Sequence, residues 1–119
     1  MKNIGNPVLD STVLTLRRAF KSSKAKIWRD VSNRLLKSAS IRTRVNIGKI
    51  SRITKPNDVL VIPGKVLGDG EISHRIVIGA FSFTRSAVEK ITLAGGEVLT
   101  IPELVEKHQS GAGIIIIGG

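Results

Sequence analysis

The stretch from Val59 to Phe83, VLVIPGKVLGDGEISHRIVIGAFSF, constrains the fold more than any other part of the chain. It contains two short β-branched apolar runs, Val59-Leu60-Val61-Ile62 and Ile76-Val77-Ile78. Turn formers bound both runs, so each reads as a buried strand. Pro63-Gly64 is expected to end the first strand, because proline donates no N–H and glycine accepts dihedrals that other residues avoid. Gly68-Asp69-Gly70 marks a further turn. The second strand continues through Gly79-Ala80-Phe81, and strand alternation places Phe81 and Phe83 on one face. The expectation is a hairpin-like scaffold against which helices pack.

The chain of 119 residues suits one domain, divided into a front of residues 1–56 and a scaffold of residues 57–119. Charge divides at the same place. The first 56 residues hold 14 Lys and Arg against 2 Asp and Glu, whereas the rest holds 5 against 7. All of the net charge of +10 therefore belongs to the front. Such self-repulsion destabilises a compact fold unless a polyanion screens it, and nucleic acid is the natural polyanion. The chain has no cysteine, which removes disulfides and thiolate metal sites. No apolar run is long enough for a membrane span, and Met1 to Asn6 is too polar for a signal peptide.

The front reads as helical. Asn6-Pro7 and Asp10-Ser11 both offer helix starts. Leu9, Val13, Leu16 and Phe20 recur at helical spacing to about Lys21, with Arg17, Arg18 and Lys21 in the last turn. After a break at Ser22-Ser23, a second helix is expected from about Lys24 to Ser38. Ile27, Val31 and Leu35 line one side, and Lys26, Arg29, Asn33 and Lys37 share the opposite side. Arg34 belongs to the same helix. Ala39 to Val45 reads as a connector; if extended, it points Arg42 and Arg44 the same way. Asn46 is placed to cap a short helix from Ile47 to Ile53. There Ile47, Ile50 and Ile53 face inward, and Lys49 and Arg52 outward.

Beyond the scaffold strands, Thr84 or Ser86 starts a helix through Ala94. Its buried side would hold Ala87, Val88, Ile91 and either Leu93 or Ala94, and Gly95-Gly96 would end it. Glu97 to Thr100 reads as a strand. Thr100-Ile101-Pro102-Glu103 matches a capping box opening a helix to about Gln109. Ile114 to Ile117 reads as the last strand. The order implies a mixed α/β fold.

Catalytic and cofactor motifs fail one by one. A phosphate-binding loop ending at Gly64-Lys65 needs glycine where Val59 stands and Ser or Thr where Val66 stands. Gly68-Asp69-Gly70 lacks the third glycine and helix start of a dinucleotide site. His74 and His108 show no ligand spacing. No cofactor, metal, small-molecule substrate or enzymatic activity is expected. Only four aromatic residues exist, Phe20, Trp28, Phe81 and Phe83, and the core claims them. Folded RNA or duplex held through its phosphates fits better than stacked single strands. Composition leaves open a general DNA- or RNA-binding architectural protein of chromatin-like type.

The segments VLVIPGKVLGDGEI and RIVIGAFSFTRSAVEKITLAGGEVLTI resemble the signature half of the archaeal and eukaryotic L-eighteen-e family of large-subunit ribosomal proteins, kin to the bacterial L-fifteen proteins. NPVL, KIWRDVSNRLLK and VNIGKISRI resemble the archaeal form, so the likeness runs from Asn6 to Ile117. It implies basic helices packed on irregular β-β-α layers and a cytoplasmic, structural role in the large subunit. It also implies large-subunit rRNA and neighbouring ribosomal proteins as partners. Carried over by position, the likeness marks as RNA-facing the basic residues of the first two helices: Arg17, Arg18, Lys21, Lys24, Lys26, Arg29, Arg34 and Lys37. Arg42, Arg44 and the loop lysine Lys65 are marked in the same way. Lys49 and Arg52, outward on the third helix, complete the candidate set.

Overall fold

The computed structural model describes residues 7–37 and 43–118. Asn6, Ser38 and Arg42 lie outside the described residues. The elements in chain order are α1 (Pro7–Ser23), α2 (Lys26–Leu35), β1 (Thr43–Asn46), α3 (Ile47–Ile53), β2 (Val59–Leu67), β3 (Val77–Phe83), α4 (Arg85–Leu93), β4 (Glu97–Thr100), α5 (Ile101–Lys107) and β5 (Ile114–Ile116). The mixed α/β class is as expected.

All strand pairings among the described residues are parallel. Strand β2 lies centrally, with β3 along one edge and β4 beyond it. Its other edge is shared: β5 pairs Val59 to Val61, and β1 pairs Gly64 to Leu67. The expected hairpin is therefore corrected to a parallel crossover. Nine residues, 68–76, carry the chain back across the sheet, and Ile72 and Ile76 are buried on the way.

Pro63-Gly64 does not end the strand either. β2 continues to Leu67, and its register with β3 slips between Ile62 and Lys65. Proline is tolerated because Pro63 pairs with neither neighbour there, so its missing N–H costs no ladder bond. The same irregularity corrects the placement of the phenylalanines. Phe81 packs with the core on one side of the sheet and Phe83 with the core on the other.

Those two cores define the layers. Alternation along β2 sends Leu60 and Ile62 to one face and Val61 to the other. On the Val61 face, α1, α2 and α5 bring Val13, Leu16, Trp28, Val31, Leu35, Leu104 and Val105. On the Leu60 face, α3 and α4 bring Ile47, Ile50, Ala87 and Ile91. A parallel sheet covered on both sides needs continuous apolar strands, and β2 and β3 supply them.

Local signals account for most boundaries. Ser23 Oγ accepts the Ala25 N–H at 3.1 Å where α1 breaks. Lys24 occupies the joint with φ 63°, so α2 begins two residues later than expected and ends at Leu35. Trp28 is fully buried and its indole N–H donates to the Gln109 carbonyl at 2.8 Å, tying α2 to the end of α5. Thr84 caps α4 through the Ala87 N–H. A Schellman turn closes that helix: Gly95 (φ 82°) donates to Thr92 and Gly96 donates to Ile91. Leu93 is 88% exposed and Ala94 packs in its place, because Ala94 follows Ala87 by seven and Ile91 by three residues and so shares their side of the helix. The capping box at Thr100 and Glu103 is present.

Two expectations at α3 are corrected. Ile53 is 53% exposed, since the helix ends there and nothing covers its last turn. Asn46 stands at the N-cap without capping. Its Oδ1 instead accepts the Asp69 N–H at 3.3 Å, and the Gly48 N–H donates to the Asp69 carbonyl at 2.9 Å.

Candidate nucleic-acid interface

Helices α1 and α2 bury their apolar stripes on each other and on the sheet, so their basic residues lie on the outer sides of the helices. Arg17, Arg18, Lys21, Lys24, Lys26, Arg29 and Lys37 are all exposed, and Arg34 is partly so. Their neutralisation is slight. The only acids in the first 56 residues are Asp10 and Asp30. Among the described residues, Arg34 alone of this group is held by a carboxylate, its Nε lying 3.2 Å from Asp30 Oδ1 one helical turn away. An exposed i,i+4 pair of this kind contributes only about 0.3–0.5 kcal/mol and leaves Arg34 recruitable. Arg29 lies over the Phe20 ring at 5.2 Å, which orients the guanidinium while leaving its edge free to donate.

A groove of about 410 Å³ runs between α2 and β5. Lys26, Arg29, Asp30 and Asn33 form its polar rim, with Ile27 and Ile116 at its floor. The expected polar stripe of α2 thus borders a concave surface.

The sheet brings two more candidates together. Arg44 of β1 and Lys65 of β2 are direct register partners, and Ser82 of β3 follows in the same row. Adjacent strands lie about 4.8 Å apart. Both cations are exposed, while their neighbours Val45 and Val66 are buried in the α3/α4 core. Arg44 and Lys65 therefore project from the α1/α2 side of the sheet. Their separation in sequence concealed this pairing; only the β1–β2 register creates it.

Lys49 and Arg52 do not join that surface. They sit on α3, whose apolar side packs on the opposite face of the sheet. The candidate set is thus divided by the sheet itself. Two cations that sequence reasoning passed over stand near α3. Lys55 follows its end, and Arg75 donates from Nη1 to Asn57 Oδ1 at 3.4 Å. Each sits in a stretch that reads as a turn or strand approach, and nothing in its local pattern marks it.

Lys90 is a further residue without a sequence signal. Its ammonium donates to the carbonyls of Gly68 at 2.8 Å and Gly70 at 2.6 Å, and pairs with Glu71 at 3.3 Å. It is thereby spent on fixing the crossover loop rather than on any ligand. His74 is similarly occupied: its Nε2 lies 2.8 Å from Thr54 Oγ1, whose hydroxyl is within donating distance of the Ile50 carbonyl at 2.7 Å. No group of three or more His, Cys, Asp or Glu that could hold a metal occurs among the described residues.

The family described as ribosomal protein 60S L18 and 50S L18e matches residues 7–119. The large ribosomal subunit protein eL18 of Pyrobaculum aerophilum is 43% identical over 102 residues, covering 86% of this chain and 84% of that protein. Those of Methanosphaerula palustris and Methanothermobacter thermautotrophicus are each 40% identical over 112 residues, covering 94% of this chain and 93% of theirs.

Proposed function

The chain belongs to the family of 60S L18 and 50S L18e ribosomal proteins, and on that premise we propose how it serves the large ribosomal subunit. It is a structural constituent of that cytoplasmic particle and carries no catalysis of its own. Exposed cations of α1 and α2 hold folded large-subunit rRNA through its phosphates, and the row of Arg44 and Lys65 extends the grip along the sheet. Arg42, in the connector, is assigned to the same grip. The neutral scaffold leaves room for neighbouring ribosomal proteins.

The observation that carries this reading is the unneutralised charge of the two leading helices. Seven exposed Lys and Arg stand on these helices or directly beside them, at Lys24 and Lys37, with no carboxylate partner among the described residues. Such a surface gains from releasing counterions around a polyphosphate, a gain that no internal contact offers. Scarce free aromatics favour shape and phosphate recognition over base stacking.

Sedimentation through a gradient at raised salt, with large-subunit rRNA and duplex DNA present together, tests the proposal. The protein is expected to travel with the rRNA. Redistribution onto the DNA in proportion to its phosphate would replace this reading with a general nucleic-acid binder.

A further inference from the structure

We propose that the protein bridges two separate RNA segments, one on each face of its sheet; the inference rests on the RNA-binding reading above. A basic front made of one surface would need α3 on the same side as α1 and α2. The cores place it on the other side, with the sheet between. Lys49 and Arg52 on α3 are joined by Lys55 just past its end and by Arg75, which reaches the same turn through Asn57. The acids nearby do little to cancel them. Asp58 accepts the Lys55 backbone N–H at 2.8 Å, and Glu71 is held by Lys90. Asp69 and Glu89 remain exposed at the far end of α3 and on α4. A phosphate backbone lying along α1 and α2 cannot also reach α3 through an intervening sheet, so the second cluster engages a different segment. One rigid α/β body then fixes the spacing between the two.

The absence of cysteine allows single probes to be placed without background. Asn33→Cys on α2 and Ile53→Cys on α3 both lie at exposed positions. Each variant, carrying an iron chelate that generates hydroxyl radicals, is bound to intact large-subunit rRNA and the strand cuts are mapped. Two non-overlapping sets of cuts are expected. Replacing Lys49, Arg52, Lys55 and Arg75 together by Gln should abolish the Ile53 set and leave the Asn33 set. Cuts from Asn33 alone, or one shared set from both positions, would overturn the bridge while leaving RNA binding by α1 and α2 intact. Absence of cuts from both positions would overturn the RNA-binding reading, and the bridge with it.

Discussion

Gly64→Ala puts the most pressure on the sheet that organises the candidate interface. A Cβ at Gly64 would lie 1.9 Å from the Thr43 carbonyl oxygen and 2.8 Å from its carbon, both backbone atoms of β1. Ordinary contact begins near 3.4 Å, so β1 would have to retreat by roughly 1.5 Å, more than a ladder hydrogen bond tolerates. If β1 detaches, Val45 leaves a site where it is 2% exposed. That exposure costs about 1.5–3 kcal/mol, and each broken ladder bond adds about 1 kcal/mol. The total is about 3–5 kcal/mol. For a chain of this length it corresponds to a fall in Tm of about 12–20 °C. Gly95→Ala is the control. Gly95 has φ 82° and nothing within 4 Å of a built Cβ, so only the left-handed penalty of about 1–2 kcal/mol applies. Urea unfolding followed by circular dichroism gives both values, and amide exchange at Val45 and Val66 locates the damage. A Gly64→Ala variant no less stable than Gly95→Ala would refute the steric reasoning. Because β1 carries Arg44 beside Lys65, its release should also weaken rRNA binding, whereas Gly95→Ala should not.

Two further predictions concern the loop clamp and the capping box. Lys90→Met removes the donor shared by Gly68 and Gly70. It should cost about 1–3 kcal/mol and speed exchange at the Gly48 and Asp69 amides; unchanged protection there would show that the loop holds without its lysine. The carboxyl of Glu103 lies below its ordinary value of 4.5 because the backbone N–H and then the hydroxyl of Thr100 bond to it, with Lys107 nearby. A folded-state pKa below the unfolded one means that its contribution is present above the unfolded value and lost as pH falls through the folded one. The stability gap between the parent and Glu103→Gln should therefore shrink between about pH 6 and pH 3. A gap that does not change over that range would contradict the assignment.

What the sequence disclosed was local. Ile47–Ile53 and Glu97–Thr100 have the bounds read from their local pattern, although Asn46 does not cap, and the Thr100 capping box and the Gly95 turn each depend on residues within one helical turn. Long-range facts stayed hidden. Nothing near Pro63 reveals that β2 passes through it, because that depends on where β1 and β5 stop along its edge. Trp28 bonds to Gln109 across 81 residues, and Lys90 reaches a loop 20 residues away. Charge asymmetry marks the candidate interface at once, since it is a property of composition. Its division into two faces is a property of topology, and so Lys49 and Arg52 group in sequence with cations that they do not accompany in space.

The salt dependence of rRNA affinity tests the central claim most directly. Arg17, Arg18, Lys21 and Lys26 are exposed and unpaired among the described residues, so replacing all four by Gln should leave the fold intact. Each phosphate interaction removed should flatten the plot of log affinity against log salt by about 0.7–0.9. The fourfold variant is predicted to show a slope shallower by roughly 3 units. A slope equal to that of the parent, with the fold retained, would contradict it.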